Sequence, residues 1–458
     1  MSNDAPPANE PPPEPTPAAG KPQGGWFGWW QRIPLYLRIL GGCVLGVLIG
    51  VALRELDKVA VDVQPNLAPA LRPLEWARAL AIPSQLVLRL LGALAAPLIL
   101  LAVVQALMHA NFPRGSGRRL LWLLVLNTLV AIFIGLAVAN VVRPGKWTDE
   151  GRLMEEGRQE QQADLLQQFL DNVPKSLLGP LGDGGKVISV IMLAIAFGIA
   201  LRRLKDVKIA TVADLVDVGF RTLIVLLHWI IEVIPLAVFG VVASIVATKG
   251  FGAFIGLGAF IIAVLIALVL QMTYYLVRIY FGSWARPLDV LRGVRDALVM
   301  AFSTASSTAT MPVTYACLRE KVGLRERSAS LGALVGANFN NDGTALYEAM
   351  AALFISQLIG VELTITQQLL VVLTSVAASV GAAGIPEAGI VTMTLVFNAV
   401  GLPVSYIPIL LTVDWFLDRC RTAINVMGDV NVSCILDGKT REEQHEPSAA
   451  DQELAELA

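Results

Sequence analysis

The segment VDWFLDRCRTAINVMGDV, residues 413–430, places five charged side chains in an otherwise apolar stretch. Each Asp or Arg near the centre of a membrane-spanning helix opposes insertion by about 2.5 to 3.5 kcal/mol, so these side chains cannot face lipid. At about 100° per residue, a helix places one set of polar residues within a single arc: Asp414, Asp418, Arg421, Thr422, Asn425 and Asp429. Arg419 falls at about 140° from Asp414, beside this polar stripe. The segment therefore predicts a membrane-spanning helix whose polar stripe forms a functional site.

The composition of the whole chain is that of a membrane protein. Of its 458 residues, 55% are hydrophobic and 16% are charged, and the mean hydropathy is +0.63. We therefore expect an all-α polytopic membrane protein. The net charge of −2 gives no support to nucleic-acid binding. Four scattered cysteines and three histidines also argue against a disulfide framework and most metalloenzyme sites.

Apolar segments long enough to cross a bilayer lie at about 34–54, 82–108, 119–142, 186–204, 217–247 and 252–281. Basic residues cluster in every second connection, which predicts eight full crossings with both termini in the cytoplasm. Residues 1–32 form a Pro-rich tail that ends in an interfacial Trp cluster, and residues 437–458 form an acidic tail. We expect both tails to be disordered, because they hold too few apolar anchors to offset their ordering entropy.

After residue 281 the apolar runs are interrupted by small residues. The interruptions are AFSTASSTATMP at 301–312, GANFNNDGT at 336–344 and SVGAAGIPEAG at 379–389. Two small-residue runs, each followed by a helix with polar residues, predict two re-entrant helical hairpins in an inverted repeat. Non-helical backbone at that depth requires surrounding protein or water.

The serine-rich run can supply hydroxyls and free amides to a carboxylate, although taken alone it more often indicates small-residue helix packing. In SVGAAGIPEAG, Gly381 and Gly384 permit a mobile gate, and a tight helix contact is the alternative. In NNDGT, Gly343 is expected to permit an unwound turn whose carbonyls join Asn340 and Asp342 around a small cation. A surface turn is the alternative, which the apolar flanks disfavour.

Three further ionisable residues have candidate roles. Glu348 lies one helical turn after Thr344 and is a candidate proton carrier, or else a carboxyl buried in its protonated form. Arg421 can hold a carboxylate with two parallel hydrogen bonds, and Asp418 can hold an ammonium group. The alternative for the polar stripe is an internal ion-pair network. The three aspartates of the segment exceed its two arginines, and a bound cation would balance the difference.

These motifs resemble the dicarboxylate/amino acid:cation symporter family, which includes the excitatory amino acid transporters, over residues 33–436. The resemblance implies the glutamate transporter homologue fold. Residues 33–285 would be a scaffold with transmembrane helices 1–6, and residues 286–436 would be a transport core. That core would hold hairpin 1 with the serine run, the broken helix with NNDGT, hairpin 2 and the charged helix. The resemblance also implies a homotrimer in the cell membrane.

The resemblance implies roles for individual residues. The substrate-binding positions would be Ser306, Ser307, Thr344, Gly384, Asp418, Arg421, Thr422 and Asn425, with Asp418 on the amino group and Arg421 on the side-chain carboxylate. The sodium positions would be Gly336, Asn340, Asp342, Thr344, Asn425 and Asp429. Glu348 would carry a proton, and Arg419 would support hairpin 1. Asn341 replaces the methionine of the usual NMDGT, which bears on sodium coupling.

The expected function is secondary-active symport of L-glutamate and L-aspartate, coupled to Na⁺ and/or H⁺, by elevator-type alternating access. The joint presence of Glu348 and Arg419 leaves K⁺ counter-transport open. The nearest alternative is a proton-driven C4-dicarboxylate carrier, against which Asp418 argues. An anion channel is a second alternative. A membrane enzyme is unsupported, because the sequence shows no nucleophile-base pair or metal-ligand spacing, and no cofactor is expected.

Overall fold

The computed structural model describes residues 33–64, 72–109, 117–147, 174, 176–182, 187–203, 210–250, 252–381 and 388–440, and the regular elements in these ranges are helices. Before residue 286 they are α1 (Leu35–Val63), α2 (Pro73–Leu80), α3 (Ile82–His109), α4 (Gly117–Val142), α5 (Gly179–Gly182), α6 (Val187–Arg203), α7 (Ala210–Ile231), α8 (Ile234–Lys249) and α9 (Gly252–Gly282). A 3₁₀ turn covers Pro144–Lys146. The expected disordered tail at 1–32, and all but the first residues of the C-terminal tail, lie outside the described residues.

The C-terminal part contains α10 (Pro287–Gly293), α11 (Arg295–Thr304), α12 (Ser307–Ala316), α13 (Glu326–Ser330), α14 (Gly336–Phe339), α15 (Asp342–Leu358), α16 (Ile365–Gly381), α17 (Ala388–Ala399) and α18 (Ile407–Asp437). Two π-helical segments, Cys317–Val322 and Leu331–Val335, and a 3₁₀ turn at Val404–Tyr406 connect them. α18 contains the whole polar stripe in one uninterrupted helix. It ends at Asp437, and the following residue, Gly438, has a φ of 90°, which glycine adopts without steric strain.

Three helical stretches are long and apolar enough to cross a membrane: Leu37–Val63, Arg118–Lys146 and Phe254–Gly282. A fourth crossing results if Thr211–Ile231 and Ile234–Thr248 are taken as one bent span. These spans agree with a multi-pass helical protein. The full set of eight crossings and two re-entrant hairpins stays a prediction.

The apolar segment expected at 217–247 is divided into two helices. α7 and α8 meet at an angle of 41°, with Glu232 and Val233 between them. Pro235 lies in the first turn of α8, where its missing amide hydrogen is tolerated but where it could not continue α7. The carboxylate of Glu232 accepts a hydrogen bond from Arg38 of α1, so the turn also holds an ion pair.

α1 and α8 pack closely through glycine. A Cβ atom at Gly46 would lie 2.7 Å from the carbonyl oxygen of Phe239, and one at Gly50 would lie 2.7 Å from that of Ala243. Only glycine permits two helix backbones to approach so closely. The two helices therefore form a tight pair.

The polar stripe lies where four helices meet. α4 packs against α15, α9 packs against α18, and α15 packs against α18. Every residue of α15 from Asp342 to Leu358 is buried. These contacts cross the predicted boundary between residues 285 and 286, because α4 and α9 precede it.

The first hairpin has its tip at Ala305 and Ser306, between α11 and α12, which pack together. Ala305 is in the left-handed region with φ of 52°. Ser306 caps α12, since its side chain accepts a hydrogen bond from the amide of Ala309 at 3.1 Å. α16 and α17 pack together as the arms of the second expected hairpin. Residues 382–387, including Gly384, lie outside the described residues.

Candidate binding site for substrate and cation

The expected helix break lies at Asn340 and Asn341, where the backbone leaves helical geometry between α14 and α15. Gly343 lies in the first turn of α15, so the prediction that it permits the unwound turn was wrong. A Cβ at Gly343 would come within 2.7 Å of the carbonyl oxygen of Arg421. The residue is glycine because α15 crosses α18 at contact distance here.

The polar stripe of α18 is buried, as its helical spacing predicted. Exposed fractions are 6% or less for its six members: Asp414, Asp418, Arg421, Thr422, Asn425 and Asp429. Arg419, which the spacing placed beside the stripe, is only partly buried. Its guanidinium donates to the carbonyl oxygens of Phe302 and Ser303 near the first hairpin tip. This is the direction that was expected for Arg419.

Arg421 is fully buried between two carboxylates and an aromatic ring. Its Nη1 atom lies 3.0 Å from Oδ1 of Asp414, and its Nη2 atom donates to Oδ1 of Asp418 at 2.7 Å. The centre of the guanidinium lies 4.0 Å from the centroid of the Tyr347 ring, in a cation–π contact. Asp414 thus contacts one terminal nitrogen of the guanidinium, Asp418 contacts the other, and the Tyr347 ring lies against the group.

Asn425 connects the polar stripe to the helix break. Its side-chain oxygen accepts a hydrogen bond from the amide of Gly343 at 2.8 Å. Its Nδ2 atom lies 3.4 Å from Oδ1 of Asn341 and 3.4 Å from Oγ1 of Thr344. The hydroxyl of Thr422 donates to the carbonyl oxygen of Asp418 at 2.8 Å. Four predicted substrate positions, Thr344, Asp418, Thr422 and Asn425, therefore lie together.

A second polar group surrounds Asp429. Nδ2 of Asn340 lies 3.1 Å from Oδ1 of Asp429 and 3.3 Å from the carbonyl oxygen of Asn425. The backbone of Gly336 lies against the same carboxylate, because a Cβ there would be 2.3 Å from Oδ1. Oδ1 of Asn340 is buried and has no hydrogen-bond partner among the described residues.

The Asn340 amide can rotate, since its oxygen and nitrogen positions are assigned from hydrogen bonding. Rotation would turn its unpartnered oxygen toward the oxygens of Asp429 and Asn425. A set of carboxylate, amide and carbonyl oxygens is the donor set that hard cations prefer. The residues Gly336, Asn340, Asn425 and Asp429 therefore fit a small cation such as Na⁺.

Asp342 is buried against two helices that precede the expected transport core. Thr128 of α4 donates to its Oδ1 atom at 2.7 Å, and the hydroxyl of Tyr275 of α9 donates to its Oδ2 atom. Sequence reasoning missed both partners, which occur as isolated polar groups in apolar runs. Their only available signal was that a threonine or tyrosine buried in a membrane requires a hydrogen-bond partner.

Glu348 is completely buried on α15. Thr392 of α17 donates a hydrogen bond to its Oε1 atom, and its Oε2 atom has no hydrogen-bond partner among the described residues. Asn341 also reaches the second hairpin, because its Nδ2 atom donates to the carbonyl oxygen of Ser379 at 3.0 Å. In the first hairpin, Ser307 donates to the carbonyl oxygen of Ala337 at 3.1 Å. Both hairpins therefore contact the broken helix.

Comparison with known proteins identifies the family of the chain. A family model described as the sodium:dicarboxylate symporter family matches residues 35–439. Excitatory amino acid transporter 4 of Mus musculus is 31% identical over 452 residues, covering 81% of this chain and 80% of the relative. Excitatory amino acid transporter 2 of Homo sapiens is 30% identical, and the match covers 84% of this chain and 76% of the relative. Excitatory amino acid transporter 3 of Mus musculus is 27% identical, and the match covers 93% of this chain and 89% of the relative. The resemblance seen in the motifs is confirmed: the chain belongs to the sodium:dicarboxylate symporter family and is a multi-pass membrane transporter, not an enzyme.

Proposed function

We propose that this transporter carries L-glutamate and L-aspartate by secondary-active symport with Na⁺ and/or H⁺. The observation that carries the proposal is the buried ion pair of Arg421 and Asp418. An acidic amino acid can open this pair without leaving either charge alone. Its side-chain carboxylate would bind Arg421, and its ammonium group would bind Asp418. One buried ion pair is then replaced by two, while Asp414 continues to orient the guanidinium.

A C4-dicarboxylate lacks the ammonium group and would leave Asp418 buried without a counter-charge. Removing one partner of a buried pair costs about 3 to 5 kcal/mol. The pairing therefore favours an amino acid over succinate. The names of the relatives, excitatory amino acid transporters, give independent support for an amino acid. Ser306, Ser307, Thr344, Gly384, Thr422 and Asn425 are proposed to make the remaining polar contacts.

For the coupling ions, the oxygens of Gly336, Asn340, Asn425 and Asp429 are the best-supported Na⁺ position. Glu348 is proposed to carry a proton, because it is buried and its Oε2 atom has no hydrogen-bond partner within the described part of the chain. We further propose elevator-type movement of residues 286–436 together with α4 and α9, which pack against α15 and α18. We also propose a homotrimer in the cell membrane and cytoplasmic termini. Cation binding at Asp342 and Thr344, and counter-transport of K⁺, stay predictions.

Uptake of labelled aspartate into proteoliposomes tests the proposal, with gradients of Na⁺, H⁺ and K⁺ imposed one at a time. Concentrative uptake under a Na⁺ or H⁺ gradient is expected. No uptake under any gradient would refute symport. Substrate-independent current without uptake would indicate an anion channel instead. Succinate should compete poorly; if it competes as strongly as glutamate in both the parent and the Asp418→Asn variant, the dicarboxylate alternative is correct.

A further inference from the structure

A polar cluster lies beside Asp342 that the proposed transport site does not use. It consists of Asn127 on α4, Arg278 on α9 and Asn431 on α18. Asn127 and Asn431 are fully buried, and Arg278 is partly buried. An arginine among apolar helices requires polar partners, and by default such a residue suggests a function.

The cluster adjoins the two residues that donate hydrogen bonds to Asp342. Arg278 donates to Oδ1 of Asn127, and its Nη1 atom lies 3.5 Å from Oδ1 of Asn431. Nδ2 of Asn431 donates to the carbonyl oxygen of Tyr275 at 3.0 Å, and the Tyr275 hydroxyl donates to Asp342. Thr128, which follows Asn127 in the sequence, donates a hydrogen bond to Oδ1 of Asp342.

The Tyr274 ring limits the movement of the guanidinium. The centre of the Arg278 guanidinium lies 5.7 Å from the ring centroid, within the range of a cation–π contact. Arg278 also lies three residues after Tyr275, so both side chains leave the same side of α9. The positive charge is therefore fixed on the side of α9 that faces Asp342.

The space around Asp342 is also restricted. A Cβ atom at Gly428 would lie 3.0 Å from Oδ2 of Asp342 and 2.9 Å from the Tyr275 hydroxyl oxygen. The backbone of α18 thus closes one side of the carboxylate, and two hydroxyl donors occupy others. The surroundings of Asp429 differ from those of Asp342, because a potential cation ligand beside Asp429, the side-chain oxygen of Asn340, has no hydrogen-bond partner among the described residues.

We propose that Arg278 is a built-in counter-charge for Asp342, which takes the place of a transported cation at this carboxylate. The proposal rests on the cation-coupled symport inferred above. It reduces the number of transported-cation sites, because it removes the site at Asp342. Asp429 and its oxygens remain a transported-cation site. Asp342, although predicted as a cation ligand, moves through the cycle with its positive charge attached to the protein.

The test is the ratio of cation to aspartate moved into proteoliposomes, measured with labelled Na⁺, labelled aspartate and an internal pH indicator. Arg278→Gln should raise the ratio by one cation per aspartate, because Asp342 is then free to bind an ion. Arg278→Lys keeps the charge and should retain the parental ratio. Arg292→Gln, which removes an exposed arginine of α10, is the matched control. Arg278→Gln combined with Asp342→Asn should return the ratio to the parental value.

An unchanged ratio in Arg278→Gln, with uptake retained, would overturn the proposal. If that variant does not fold, the cation-to-aspartate ratio of the Asp342→Asn variant tests the proposal by itself. The proposal expects reduced uptake at an unchanged ratio, whereas loss of one cation per aspartate would show that Asp342 binds a transported ion. Failure of the parent to accumulate aspartate under any gradient would instead refute the proposed symport.

Discussion

Replacing Arg421 with glutamine tests the assignment of acidic substrates most directly. The substitution keeps a polar but shorter side chain and removes the charge that contacts Asp414 and Asp418 in the structure. A substrate carboxylate would lose its charged partner. The two aspartates would then lie buried without the cation that pairs them.

The expected size of the effect follows from the lost contacts. Hydrogen bonds to charged groups contribute about 1.5 to 3 kcal/mol each, so losing a two-bond contact costs roughly 3 kcal/mol or more. At 1.4 kcal/mol for each tenfold change, the affinity for aspartate should fall by at least about a hundredfold. Neutral amino acids need no such contact and should lose much less.

The assay is competition of aspartate and serine against labelled substrate in proteoliposomes that contain the parent or the Arg421→Gln variant. The preference for aspartate over serine should disappear in the variant. Arg419→Gln is the matched control, because Arg419 contacts hairpin carbonyls and lies off the buried stripe. It can slow uptake but should leave the preference unchanged. An Arg421→Gln variant that still prefers aspartate would refute the proposed role.

Three further changes test other parts of the site. Asp429→Asn should raise the Na⁺ concentration for half-maximal uptake by about tenfold or more, because a charge-assisted contact is lost; an unaltered Na⁺ dependence would contradict the cation site. Glu348→Gln should abolish stimulation of uptake by an inward proton gradient, measured at fixed Na⁺, and retained stimulation would exclude Glu348 as the proton carrier. Gly343→Ala should lower the melting temperature in detergent, since a methyl group 2.7 Å from the Arg421 carbonyl oxygen overpacks the helix crossing by about 1 to 3 kcal/mol. Gly258→Ala, where no atom lies within 4 Å of the added carbon, is its control, and equal stability of the two variants would show that the crossing can relax.

The buried stripe of α18 could be predicted because helical spacing alone sets the relative directions of its side chains. The same arithmetic placed Arg419 outside the stripe. The break at Asn340 could also be predicted, since polar residues with a glycine are unusual between apolar runs. These inferences depend on local rules.

The partners of Asp342 could not be predicted, because Thr128 and Tyr275 reach it from helices far away in the sequence. No periodicity within one segment specifies which helices cross. The error at Gly343 has a related cause. Glycine is selected both for backbone freedom and for small size, and only the packing against Arg421 shows that size matters here.

Asn425 takes part in both the proposed cation set and the proposed substrate set. Its carbonyl oxygen lies near Asn340, while its side chain holds Gly343 and approaches Thr344. We therefore expect occupation of either set to alter the affinity of the other, and thermodynamic reciprocity then requires each ligand to change the affinity of the other by the same factor. When that factor exceeds one, the empty and the doubly loaded carriers predominate over the singly loaded forms. In that case, the shared residue Asn425 would reduce transport of the cation without substrate.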